Sequence, residues 1–232
     1  MARDKEEISG GDESRRFAVP PGEVLVEFHD WSAHIDYHFL SNAIYSHMQR
    51  TSSAFAFIHI NKCAGTSIAT HLGIPTRFHD TALERRELVG AERWRQMFTF
   101  AFVRNPFSKV VSHFQYRRRR RNIDAAMPFD LWVQLSYRDK DPRYYDPPKM
   151  FQPCLDWISD ADGNVIVDFV GRVETIEHDF AVVASRIGVS PELPHLNVSK
   201  GERPYRAFYS DESRRIVEAH FRRDLDHFGY EF

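Results

Sequence analysis

The stretch AFAFIHINKCAGTSI, residues 54–68, constrains this chain more than any other. An almost unbroken apolar run from Ala54 to Ile60 enters a short polar turn, Asn61-Lys62-Cys63-Ala64-Gly65. Thr66, Ser67 and Ile68 then open a second apolar-periodic stretch. The pattern predicts a buried strand, a tight loop and a helix N-terminus. Such a turn aims backbone N–H groups at whatever lies over the loop, and the helix dipole favours negative charge there. Lys62 adds a mobile cation, Thr66 and Ser67 add hydroxyl donors, and Gly65 permits a close backbone approach or a positive φ. The stretch reads as a phosphate-cradling loop; the plainer alternative is an ordinary strand-to-helix turn capped by Thr66 or Ser67. It is not a Walker A loop, because the lysine precedes the glycine, and the GxGxxG dinucleotide fingerprint is absent.

A second unit repeats the logic. Residues 97–103, MFTFAFV, form another continuous apolar run, suited to a strand covered on both faces. It ends in Arg104-Asn105-Pro106, where Asn105 is a good N-cap and Pro106 a good first helical residue. Phe107, Val110, Val111 and Phe114 line one side of the helix that follows. Two such units about forty residues apart predict an α/β fold: three layers, a central mostly parallel sheet, helices on both faces and binding turns along the carboxyl edge. The Arg104 fork matches phosphate oxygens and Ser112 can complete the contact, although a structural ion pair is the alternative for Arg104. Two anion sites on neighbouring strand ends imply a ligand with two separated phosphates, such as a dinucleotide or a 3′-phosphorylated nucleotide.

The remainder is read around these units. Residues 1–20 are expected to be a flexible N-terminal tail and 21–232 a single domain, with a short strand at 24–28. Residues 31–50 carry aromatics and histidines without a clean period. Helices are expected at 66–72; after a cap at Asp80 or Thr81, with Glu84 three residues past Thr81 giving a capping box and Leu83 and Leu88 inward; at 91–96; and at 129–135. A strand is expected at 165–171, a helix at 174–187, and a last helix at 211–228 with Ile216, Phe221, Leu225 and Phe228 inward. Nineteen Phe among 232 residues demand an interior, and a net charge of -2 gives the chain no polyelectrolyte character. No apolar run approaches the roughly eighteen residues of a membrane span, and the polar N-terminus lacks a signal segment, so a cytoplasmic location is expected. The two cysteines, Cys63 and Cys154, are expected as free thiols, with Cys63 a conceivable nucleophile beside Lys62. The run Arg117 to Arg121 suits a solvated helix end, a basic rim that steers an anionic substrate, or a nucleic-acid patch.

HINKCAGTSI followed by FVRNPFSKVVSHF is similar to the carbohydrate-type sulfotransferases that use 3′-phosphoadenylyl sulfate (PAPS), in particular the family-2 domain of Golgi enzymes and soluble bacterial proteins. The similarity continues through HDTA from residue 79, DFVGRVE at 168–174, LPHLNVS at 193–199 and the closing FGYEF. The resemblance implies a P-loop NTPase-like sulfotransferase fold. It also implies a 5′-phosphosulfate loop made of Lys62, Cys63, Ala64, Gly65, Thr66 and Ser67. Arg104 and Ser112 are implied on the 3′-phosphate, with Asn197, Ser199 and Lys200 near the nucleotide. The implied reaction moves a sulfuryl group to a hydroxyl of a saccharide or small molecule, leaves adenosine 3′,5′-bisphosphate (PAP), and needs no metal. Lys62 would neutralise the leaving phosphate. His79, where related enzymes place a catalytic histidine, is the preferred base, with Asp80 able to orient it and His59, Glu84 and Glu87 as rivals. Tyr144, Tyr145, Phe151 and Trp157 suit either sugar stacking or packing. Alternative functions are a nucleotide-dependent phosphotransferase and a non-enzymatic anion or nucleic-acid binder. No nucleic-acid partner is expected on the main reading, and oligomeric state is not readable.

Overall fold

A computed structural model describes residues 54–193 and 204–232. The expected tail, the strand at 24–28, the aromatic segment at 31–50 and the residues Asn197, Ser199 and Lys200 lie outside the described residues. Among the described residues, three strands form the sheet: β1 (Phe55–Ile58), β2 (Phe98–Val103) and β3 (Phe169–Arg172). All pair in parallel in the order β1-β2-β3, with Phe57 opposite Phe100 and Phe102 opposite Gly171. The carboxyl ends of β1 and β2 are therefore immediate neighbours.

Helices α1 (Gly65–His71), α2 (Ala82–Val89) and α3 (Ala91–Gln96) lie between β1 and β2 in the chain. After β2 come α4 (Pro106–Arg119), α5 (Phe129–Val133) and α6 (Cys154–Ile158); after β3 come α7 (Ile176–Ile187), α8 (Asp211–His220) and α9 (Arg222–Phe228). The strand pleat sends alternate residues to opposite faces. Ala56, Ile58, Ala101 and Val103 pack with Trp94, Trp157, Ile158 and Phe228 on one face. Phe57, Phe100 and Phe102 pack with Ile68 and Ala69 of α1 and Phe180, Val183 and Ala184 of α7 on the other. The sheet thus has helices on both faces, which is why its strands read as unbroken apolar runs. A third apolar cluster joins Phe107, Val110 and Phe114 of α4 to Trp132, Phe151, Val217 and Phe221.

Local signals were accurate where the interaction is local. The Thr81 hydroxyl accepts the Glu84 N–H at 3.2 Å while the Glu84 carboxylate accepts the Thr81 N–H at 2.7 Å. The Asn105 side chain accepts the Phe107 N–H at 3.0 Å, and Pro106 is the first residue of α4. Other expectations need correction. β1 stops at Ile58, two residues early. β3 starts only at Phe169, because the Asp168 carboxylate accepts from the Thr99 N–H and hydroxyl, each at 2.8 Å, and Val165 pairs instead with Ser159. Leu83 and Leu88 are only half-buried; Ala82 and Arg85 are the buried residues of α2, Arg85 because Asp80 neutralises it at 2.9 Å. The last helix is two, broken at Phe221, whose ψ of 19° leaves the helical range, and Val217 takes the inward position expected for Ile216. Among the described residues, no helix is long and apolar enough to cross a membrane.

Candidate active site at the carboxyl edge of the sheet

The loop after β1 is wound tightly. The Ile60 N–H donates to the Ile58 carbonyl at 3.1 Å and the Cys63 N–H to the Ile60 carbonyl at 3.4 Å. Lys62 (φ 63°) and Ala64 (φ 58°) are both left-handed, a conformation that costs non-glycine residues energy and gathers at functional sites. Gly65, where a positive φ was one expectation, is needed for the other reason: a Cβ there would lie 1.8 Å from Cδ2 of His59. Ala64 occupies the N-cap position of α1 without a side-chain cap, so neither Thr66 nor Ser67 is the cap. Both sit in the first turn, Thr66 exposed and Ser67 half-buried. The first intrahelical bond runs from the Ile68 N–H to the Ala64 carbonyl at 3.2 Å, so the amides of Gly65, Thr66 and Ser67 belong to the set a helix does not pair internally.

The turn after β2 meets this loop. Arg104 donates from Nε to the Ser108 hydroxyl at 2.9 Å and from Nη1 to the Lys62 carbonyl at 3.3 Å. The Lys62 ammonium lies 4.2 Å from the centre of the Tyr116 ring. Ser108, Ser112 and Tyr116 follow one another at four-residue spacing, so one face of α4 runs beside both cations. Burial, then the charges of Arg119 and Arg104, pull the Lys62 pKa down to about 8. Lys62 thus sits in a field that a bound anion would relieve.

A histidine pair adjoins the loop. The two rings of His59 and His79 lie 4.3 Å apart, and the His79 Nδ1–H donates to the His59 carbonyl at 2.9 Å. A carbonyl only accepts, so the neutral His79 ring keeps its lone pair on Nε2. Burial and the nearby Lys149 charge lower the His79 pKa, opposed by the bond to His59 and by Asp80. The imidazole is therefore neutral near pH 7 and able to accept a proton. His59 is more deeply enclosed, and burial followed by the His79 charge drops its pKa to about 3. Lys149 is paired with Glu84 and lies 5.5 Å from the Trp157 ring centre.

Several assigned residues are not where a direct role would put them. Asp80 does not orient His79: its carboxylate takes the Arg85 Nε–H at 3.1 Å. The Cys63 side chain is buried in the core with its sulfur 3.9 Å from that of Cys154, and its amide already serves the loop turn, which removes it as an exposed nucleophile. Both thiols are free, as expected. Glu84 is engaged by its cap and Lys149, and Glu87 is exposed on α2. Phe151 and Trp157 are fully buried and serve packing, whereas Tyr144 and Tyr145 keep partial exposure. The arginine run divides: Arg117 is buried and donates to the Asp146 carbonyl at 2.8 Å, Arg118 reaches the Ala125 carbonyl at 2.6 Å, and Arg119 bears on Lys62. Sequence reasoning missed Ser108 and Tyr116; their spacing from Ser112 on one helical face was the available signal.

A model of the sulfotransferase family matches residues 47–231 of the chain. An uncharacterised protein of Archaeoglobus fulgidus is 34% identical over 113 residues, which is 47% of this chain and 82% of that relative. No solved structure matches. With the family model spanning both strand-turn-helix units and the whole carboxyl edge, the chain belongs to the sulfotransferase family, an enzyme family that uses PAPS.

Proposed function

We propose that this protein transfers the sulfuryl group of PAPS to a hydroxyl of a carbohydrate or small-molecule acceptor by in-line attack, within a P-loop NTPase-like fold. The observation that carries the reading is the contact between the Arg104 guanidinium and the Lys62 carbonyl, which joins the turns that follow two adjacent parallel strands. Bound there, the donor would supply an activated sulfuryl group on a phosphate leaving group. Lys62, with the amides and hydroxyls of Gly65, Thr66 and Ser67, suits the 5′ end and would offset charge on the bridging oxygen as the sulfur–oxygen bond breaks. Arg104, with Ser108 and Ser112 on the adjoining helix face, suits the 3′-phosphate. Asn197, Ser199 and Lys200 are proposed to complete the nucleotide contacts. His79 Nε2 would take the acceptor proton as the new oxygen–sulfur bond forms. Tyr144 and Tyr145 are the aromatic candidates left for a saccharide face. The free thiols of Cys63 and Cys154 support a reducing compartment as the place of work.

Calorimetric titration with PAP and with ATP, both without magnesium, tests the reading. Tight binding of PAP alone supports it. Binding of ATP in preference to PAP, or of neither, removes it.

A further inference from the structure

The sequence motifs DFVGRVE and FGYEF have no place in the chemistry above, yet they meet behind Arg104. The Asn105 N–H donates to Oε1 of Glu174 at 2.8 Å, and the Tyr230 hydroxyl donates to Oε2 of the same carboxylate at 3.0 Å. The Asn105 side-chain amide donates to the Glu231 carbonyl at 2.8 Å, while its oxygen accepts the Phe107 N–H. All three of these polar groups of Asn105 are therefore committed, in three directions. The C-terminal segment is itself fixed: Arg172 donates to the Phe228 carbonyl at 2.7 Å and lies 4.9 Å from the centre of the Tyr230 ring, and Phe232 packs edge-on against Phe107 at 4.9 Å.

We infer that Glu174, held by Tyr230, is a positioning residue for Arg104, acting through Asn105, and that the C-terminal segment is part of the support of the 3′-phosphate site. This rests on the donor reading above. A carboxylate near an anion site opposes the anion electrostatically. Its presence is accounted for by the geometry it imposes: the peptide joining Arg104 to Asn105 is fixed at its N–H by Glu174. The direction in which Arg104 leaves β2 is set at that peptide. Gly171, five residues past the Ile166 N–H bond to Ile158, lets β3 lie flush on Phe102, whose ring a Cβ would approach to 2.6 Å; this seats Glu174 at the turn.

The test compares PAP with adenosine 5′-monophosphate, which lacks the 3′-phosphate, by calorimetry on the full chain. Glu174→Ala is expected to weaken PAP by about five- to tenfold and to leave the monophosphate within about twofold. Glu174→Gln, which keeps an acceptor oxygen, is expected to restore most of the loss. In an Arg104→Ala background, Glu174→Ala should add little. Should Glu174→Ala not fold, Tyr230→Phe, which removes only a hydroxyl, is expected to weaken PAP about two- to threefold with the monophosphate unchanged. Equal loss for both nucleotides, additive loss with Arg104→Ala, or unchanged PAP affinity in the folded variants would overturn the inference. Failure of the wild-type chain to bind PAP would sink it together with the donor reading, an outcome distinct from the others.

Discussion

Arg104 donates a hydrogen bond from Nη1 to the main-chain carbonyl of Lys62 across 3.3 Å, so the residue that ends one strand unit braces the loop of the other. The bond leaves the Lys62 side chain to be placed independently, over Tyr116. One cation is thus held at the loop by the fold, while the other sits on a flexible four-carbon stem.

From this division, the two cations should fail differently. Lys62→Ala is expected to lower kcat by about 10²- to 10³-fold, because the interaction lost is strongest as charge develops on the leaving group. The donor KM should change far less. Steady-state kinetics at saturating acceptor checks this; a variant with normal kcat and a raised KM would make Lys62 a binding group only.

Lys62 also sets a pH dependence. Its pKa near 8 is lowered by burial and by Arg119 and Arg104, and a bound anion favours the protonated form. Binding should therefore draw in a proton, with PAP affinity steady below about pH 8 and falling above it. Lys62→Arg, which stays charged, should flatten that fall. Calorimetry in buffers of different ionisation enthalpy reads the proton uptake directly; no uptake near pH 8 would contradict the assignment.

His79→Ala is expected to bind PAP normally and to lose about 10²- to 10⁴-fold in transfer rate. Burial and Lys149 hold the His79 pKa below its ordinary 6.5, with Asp80 and the His59 carbonyl acting the other way. The charged form being disfavoured, the acidic limb of kcat/KM should lie below pH 6.5. An acidic limb unchanged in His79→Ala would transfer the base role to another group.

His59 fills the space between the Lys62–Gly65 loop and His79, with Gly65 against one side of its ring. Gly65→Ala should force the ring aside and destabilise the fold by about 1–3 kcal/mol. The double change Gly65→Ala with His59→Ala should be less destabilised than the sum of the two single changes, since the clash is gone. Thermal or urea unfolding of the four proteins gives the comparison; strict additivity would mean that the ring and the glycine do not share that space.

Much of this frame was readable because its signals are local. The apolar runs before Lys62 and Arg104, the Asn105-Pro106 helix start and the Thr81–Glu84 capping box each depend on residues a few positions apart. What escaped depends on distant contacts. Arg104 donates to Ser108 in the first turn of α4, a side-chain choice that composition does not encode. Asp80 turns to Arg85, not His79, because Arg85 is buried and needs a counter-charge. Cys63 points into the core because Cys154, ninety-one positions away, completes the packing there. The histidine pair escaped for the same reason: twenty positions separate His59 from His79, and only the folded chain brings their rings together.

The direct measurement of the central claim, one nucleotide gripped at opposite ends by Lys62 and Arg104, is the affinity of wild type and Arg104→Ala for PAP and for adenosine 5′-monophosphate. The variant is expected to lose about 10- to 100-fold in affinity for PAP and only about two- to threefold for the monophosphate, which feels just the lost brace on the Lys62 carbonyl. An equal loss for both nucleotides, or none for either, would contradict it.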